Sequence, residues 1–178
     1  MELIEQKLKT LTSYHGVIVN VRLDEARLPD GSTAKREVVE HPGGMTVLPL
    51  EPDGTVWCVR QYRYPYGEAL LELPAGKLEY GEDPLAAGKR ELKEETGAVP
   101  DTFLPMGVTL PSPGCLSERL YLFLAKGLHM ESQQLDEDEF LNVERIPFNE
   151  MVHRVMDGEI EDSKTIAAVL KAKVLLNL

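Results

Sequence analysis

Apolar positions along this chain recur mostly in two-residue alternation, cut at short intervals by turn signals, and in only two or three places at helical spacing. Residues 11–28 read as strand material, with Val17, Val19, Val21 and Leu23 alternating with Ile18, Asn20, Arg22 and Asp24. Pro29-Asp30-Gly31 is a turn signal, because proline presets φ and glycine accepts positive φ. The strand T-A-K-R-E-V-V-E-H follows, so the N-terminal part is expected to be an antiparallel β-hairpin. Two strands alone are marginal in water, and this hairpin must pack on something. His41-Pro42-Gly43-Gly44 breaks the pattern. A more apolar hairpin comes next: M-T-V-L-P-L-E, the turn Pro52-Asp53-Gly54, then T-V-W-C-V-R-Q-Y-R with Trp57 expected in the core. The break divides the chain into an N-terminal extension, residues 1–41, and a main domain, residues 42–178.

Further strands are F-L-P-M-G-V-T-L, the apolar S-E-R-L-Y-L-F-L-A-K-G-L and F-L-N-V-E-R-I-P-F. An acidic loop, residues 131–139, precedes the last of these. Asn149 is expected to cap a short helix ending at Gly158, and Asp162 or Ser163 to cap a final helix. Ile166, Ala167, Leu170, Val174 and Leu178 form the apolar stripe of that final helix. Hairpins mixed with two or three helices predict an α/β sandwich, a sheet between helices.

The clearest helix lies between Asp83-Pro84, a cap followed by a first-turn proline, and Gly97, suited to the left-handed position past a helix end. Leu85, Gly88 and Leu92 share one face; Glu91, Glu94 and Glu95 share another. Like charges at this spacing destabilise a helix by roughly 0.2–0.5 kcal/mol per pair. Arg90 can pair with Glu94 but cannot neutralise all three, and Lys93 lies off the cluster. A hard divalent cation is the natural compensation, since Mg²⁺ binds through a few carboxylates, waters and substrate phosphates. A solvated acidic face is the plain alternative.

The chain has 178 residues, 43% of them apolar and 28% charged, which suits one soluble globular domain with a small extension. No apolar run reaches the length of a transmembrane helix, and no targeting segment is visible, so no membrane association and a cytoplasmic location are expected. Cys58 and Cys115 lack metal spacing and read as structural thiols. A net charge of −11 opposes nucleic-acid binding. It also opposes binding a small anion unless metal ions and a few placed cations bridge the two.

Gly76, Glu82, Arg90, Glu91, Leu92, Glu94, Glu95 and Gly97 fall without a gap on the pattern G-x5-E-x7-R-E-U-x-E-E-x-G-U, with Ala98 at the last apolar position. This stretch resembles the Nudix box, a far more specific signal than a lone glycine motif. The resemblance implies a Nudix-type α/β/α sandwich with a mixed sheet, carrying the N-terminal hairpin as an extension. It implies hydrolysis of a nucleoside diphosphate linked to another moiety, with Mg²⁺, or Mn²⁺ in its place, as the cofactor. By the same resemblance Glu91 and Glu95 are the main metal ligands, Glu94 is a frequent one, and the Ala75 carbonyl joins them. Arg90 would orient the glutamates, and Glu82 would be structural or lie behind the ligands.

Within the family, the chain resembles the ADP-ribose pyrophosphatases. Pro111-Ser112-Pro113-Gly114 stands where these enzymes carry a proline, V-R-Q-Y-R resembles the strand whose arginine, here Arg63, contacts the diphosphate, and L-E-L-P-A-G leads into the box. A proline turn between strands is the ordinary reading of Pro113 and Gly114. The resemblance implies a homodimer formed through the N-terminal hairpin. It places the general base on the acidic loop, with Glu137 as base and Glu139 as metal ligand, or the two exchanged. Adenine recognition would fall to Tyr14, to Arg36 from the same protomer or across the dimer, and to the Tyr62–Tyr66 segment. ADP-ribose, cleaved to AMP and ribose 5-phosphate, is the expected substrate. GDP-mannose or another nucleotide sugar or dinucleotide is the alternative, and a non-catalytic nucleotide-sugar sensor is the alternative of another class.

Overall fold

The structure is a computed structural model that describes residues 2–177. The stripe position Leu178 lies outside the described residues. The chain forms two compact units: one holds the described residues up to Gly43 together with Leu110–Glu118, the other Gly44–Thr109 and the described residues from Arg119 onward.

The first unit is a three-stranded antiparallel sheet, β1 (Gln6–His15), β2 (Asn20–Arg27) and β3 (Thr33–Glu40), in that order. The expected hairpin is therefore β2–β3 with one more strand added. Residues 11–28 are not one strand, because the chain turns at Gly16–Val19, where Gly16 N–H donates to the Val19 carbonyl at 2.9 Å. Val17 and Ile18 stand exposed in that turn, so their alternation with Val19 and Val21 is accidental. Leu110–Glu118 lies along β3, where Val39 N–H donates to the Cys115 carbonyl and Ser117 N–H to the Val39 carbonyl. Asp24, 4% exposed, is the buried charge of this unit and is met by Arg22, Lys7 and Thr10.

The second unit is the α/β sandwich with a mixed sheet. Its strands are β4 (Gly44–Leu50), β5 (Thr55–Arg63), β6 (Glu68–Glu72), β7 (Ala75–Lys77), β8 (Ala98–Thr109), β9 (Leu120–Met130) and β10 (Leu141–Pro147). The order is β10-β5-β4-β9-β8, with β6 on β5 and β7 on β4. Among the described strands of this sheet, the β4–β9 pair alone runs parallel. Alternation splits β4 between two cores. Met45 and Val47 face α1 (Pro84–Thr96), together with Leu92, Phe123 and Ala125. Leu48 and Leu50 face α2 (Phe148–Met156) and α3 (Ser163–Leu176), together with Leu122, Leu124 and Val169. Burial on both faces explains why β4 reads as a nearly unbroken apolar run.

The helix caps follow the local chemistry. Asp83 accepts from Ala86 N–H and Gly97 takes φ 76° at the end of α1; Asp162 accepts from Thr165 N–H at the start of α3. Asn149 is not a cap: α2 starts one residue earlier, after Pro147, with no side-chain cap. Trp57 is half-buried rather than core, with its indole N–H on Glu51 and Arg145 stacked 5.1 Å from its ring. Cys58 is buried, and burial with the nearby Glu144 charge pushes its thiol up to about 12, which fits a structural thiol.

Candidate active site

Helix α1 does not carry its three glutamates on one solvated face. Its buried residues are Ala87, Gly88, Leu92, Glu95 and Thr96, while Leu85 is exposed. Gly88 lets the helix approach the sheet, since a Cβ there would lie 3.0 Å from the Phe103 ring. That approach carries Glu95, one position round from the apolar face, under the strand β7.

Glu95 is fully buried, and its Oε2 accepts from Ala75 N–H at 3.0 Å. Its other oxygen, Oε1, is buried with no hydrogen-bond partner. Burial pushes the Glu95 carboxyl well above the ordinary range, and the charges of Glu139 and Glu91 push the same way; Ala75 N–H and Arg63 only partly oppose them. Glu91 is also raised, first by burial and then by Glu94 and Glu139, against the pull of Arg90. The Glu91 carboxylate lies against Gly76: a Cβ at position 76 would stand 2.1 Å from Glu91 Cδ. The glycine that opens the box is thus required by close approach, not by backbone conformation.

Arg90 is the clamp of the cluster. Its Nη1 lies 2.7 Å from Glu94 Oε2 and 3.0 Å from Glu91 Oε1, and its Nη2 lies 3.2 Å from Glu82 Oε1. Glu82 in turn accepts from Glu79 N–H, so it braces the loop before the helix. Lys93 reaches Glu131.

From the acidic loop the structure brings in Glu139, half-buried, whose Oε1 accepts from Gln61 Nε2 at 3.2 Å and whose charge bears on both Glu91 and Glu95. Glu137 is exposed and makes no hydrogen bond or ion pair. Arg63 is near enough to act on Glu95, but its guanidinium lies on Glu72. Tyr14, Arg36, Pro113 and Gly114 belong to the first unit. There Tyr14 is exposed on β1, Arg36 holds Glu5 through two nitrogens, and Pro113 and Gly114 are exposed in the segment along β3. Gln61, Glu72 and Lys164 were not singled out from sequence. The alternation of β5 puts Gln61 on the same side as Arg63, and that was the one available signal.

Among the described residues no three His, Cys, Asp or Glu side chains converge as a ready-made metal-ligand set. Arg90, Ala75 N–H and Gln61 occupy the facing oxygens instead. The residues nevertheless fit a hard dication. All the donors are oxygens, one of them is buried and unpartnered, and Glu91, Glu95 and Glu139 repel one another until a cation enters.

The NUDIX domain model matches residues 32–169. A methanol dehydrogenase activator of Bacillus methanolicus is 39% identical over 93% of this chain and 90% of its own length. ADP-ribose pyrophosphatases of Bacillus subtilis and Mycobacterium tuberculosis are 36% and 35% identical, over 88% and 93% of this chain and 85% and 81% of theirs. A GDP-mannose pyrophosphatase of Yersinia enterocolitica is 33% identical over 78% of both chains. A crystal structure of an ADP compounds hydrolase superposes with a TM-score of 0.82 at 22% identity, covering 97% of this chain and 95% of that one, and supports the fold. With the box on α1 and most of its length matched, the chain belongs to the NUDIX family and is a Nudix hydrolase.

Proposed function

We propose that the protein hydrolyses the diphosphate of ADP-ribose to AMP and ribose 5-phosphate, with Mg²⁺ as the cofactor and Mn²⁺ as a substitute. The observation that carries this reading is the buried, unpartnered Oε1 of Glu95 beside Glu91 and Glu139, a site in deficit of positive charge. The ADP-ribose pyrophosphatases matched over most of both chains support the substrate.

In this reading the Ala75 carbonyl, Glu91, Glu94, Glu95 and Glu139 hold the metal. Bound there, Mg²⁺ would supply polarisation of the phosphoryl oxygens and acidification of a water. The chain's own residues do the rest. Arg90 fixes Glu91 and Glu94 in place, and Ala75 N–H orients Glu95. Glu137, free of partners, takes the proton from the attacking water as general base, and Glu139 completes the ligands. Arg63 offers its guanidinium to the diphosphate, which suits its planar two-donor edge. Tyr14, Arg36, Pro113 and Gly114 are proposed as contacts to the rest of the substrate. The protein is proposed to act in the cytoplasm as a homodimer assembled through the extension, residues 1–41. All ten residues of β1 are exposed, and Leu8, Leu11 and Tyr14 would be covered in such a dimer.

GDP-mannose is the second reading, favoured by the Yersinia relatives. A panel of nucleoside diphosphate derivatives assayed with Mg²⁺ and read by product mass decides between them. ADP-ribose should have the highest kcat/KM; a higher value for GDP-mannose would replace the first reading with the second. A protein that binds but cleaves none would be the sensor.

A further inference from the structure

The last turn of α1 is closed by the segment that begins the acidic loop. A helix leaves its final carbonyls without intrahelical partners. Here the Lys93 carbonyl is taken by Gly97 N–H, the Glu94 carbonyl by Gln134 N–H at 3.0 Å, and the Glu95 carbonyl by the Gln133 side-chain amide at 2.5 Å. Glu131 N–H donates to the Gly97 carbonyl at 2.7 Å, and Lys93 Nζ pairs with Glu131. A side chain at position 97 would prevent this, because a Cβ there would stand 2.5 Å from the Glu131 carbonyl oxygen. Gly97 therefore serves twice, for its positive φ and for the approach of residues 131–134. At its far end the same loop delivers Glu139 to Gln61.

We propose that Gln133 is a positioning residue for the reaction: by tying the carbonyl of Glu95 to residues 131–134, it sets the register in which the acidic loop presents Glu139 to the glutamates of α1 and carries Glu137 beside it. Gln133 touches no substrate in this account. Among the ties from residues 131–134 to this helix end, its amide is the side-chain bond to a main-chain carbonyl, so a single substitution removes it and leaves the backbone bonds of Glu131 and Gln134 to be tested. The role in catalysis rests on the hydrolase reading above; the clasp itself does not.

Two measurements separate the two. Hydrogen exchange of the metal-free protein needs no substrate. In Gln133→Ala the amides of residues 131–139 should exchange about fivefold faster or more, the scale of one lost hydrogen bond, with β9 and α3 unchanged. Equal exchange in wild type and variant would overturn the clasp. The kinetic test is a double-mutant cycle on whichever diphosphate the panel selects. Gln133→Ala should lower kcat about five- to tenfold with KM within about twofold, and should have little further effect in a Glu137→Gln/Glu139→Gln background. An equal loss in both backgrounds would mean general destabilisation and overturn the positioning role. Gln133→Glu, which sets a carboxylate against a helix C-terminus, should be at least as slow as Gln133→Ala. Wild-type kcat in that variant would also overturn it.

Discussion

The guanidinium of Arg63 lies two-handed on the carboxylate of Glu72, Nε to Oε1 and Nη2 to Oε2 both at 2.7 Å. Glu72 is 1% exposed and has a second cation, Lys164, which shares Oε2 with Arg63 and is itself held by Asp162. A buried carboxylate cannot be left unpaired without a large penalty. With two cations on it, Glu72 stays compensated when Arg63 turns to a diphosphate. Lys164→Met should therefore raise KM several-fold more than it lowers kcat, because Arg63 must then abandon a buried charge to bind substrate. Steady-state kinetics on the selected diphosphate check this, and an unchanged KM speaks against it.

The same pair sets an acid limit. Burial pushes the Glu72 carboxyl up, but the hydrogen bonds and charge of Arg63 and the charge of Lys164 outweigh it and hold the carboxyl below its ordinary value. A lowered acid contributes stability above its unfolded pKa, about 4.3, and loses it as pH falls through the lower folded value. Glu72→Gln should lose about 3 kcal/mol at pH 7, since it leaves Arg63 and Lys164 without their buried partner. Denaturant unfolding should show that deficit shrinking below about pH 4.

Glu95→Gln should reduce turnover by orders of magnitude while the fold persists, because the amide oxygen can still accept from Ala75 N–H. Thermal melts with and without Mg²⁺ give an independent reading. The wild type should gain melting temperature with the ion as ligand linkage requires, and the variant should gain little. Equal gains would remove Glu95 from the metal site.

Gly76→Ala must displace Glu91, whose carboxylate occupies the space of the new methyl group. Since the displaced group is a side-chain end, stability should fall by only about 1 kcal/mol while activity falls by tenfold or more. Titrating the variant with Mn²⁺ should show weakened binding.

Glu137→Gln should lower kcat with metal affinity retained, whereas Glu139→Gln should weaken metal binding. The reverse pair of phenotypes would exchange the two roles. Removal of residues 1–41 should give a monomer on a sizing column. It also takes away Val39, the backbone partner of Cys115 and Ser117, so substrate affinity should fall with it.

Local chemistry made much of this protein legible. The period-two runs of β3, β4, β5 and β10, the Asp83–Gly97 limits of α1, the Asp162 cap and the box itself are short-range signals, each carried by residues a few positions apart. Where the signal was local but misleading, the neighbours decided otherwise. The alternation through Val17 broke at Gly16, β1 was hidden because a strand exposed along its whole length shows no apolar period, and Asn149 gave way to Pro147. Within the box, sequence picked out Glu91, Glu94 and Glu95 at helical spacing and raised the expectation of a cation. Only the tertiary structure decided that Glu95 is buried with a lone oxygen, that Gly76 and Gly97 are required by the close approach of Glu91 and of the Glu131 carbonyl, and that Glu139 rather than Glu137 faces the helix. Those facts depend on contacts between residues 15 to 78 positions apart along the chain, and spacing by itself carries no record of which segments meet.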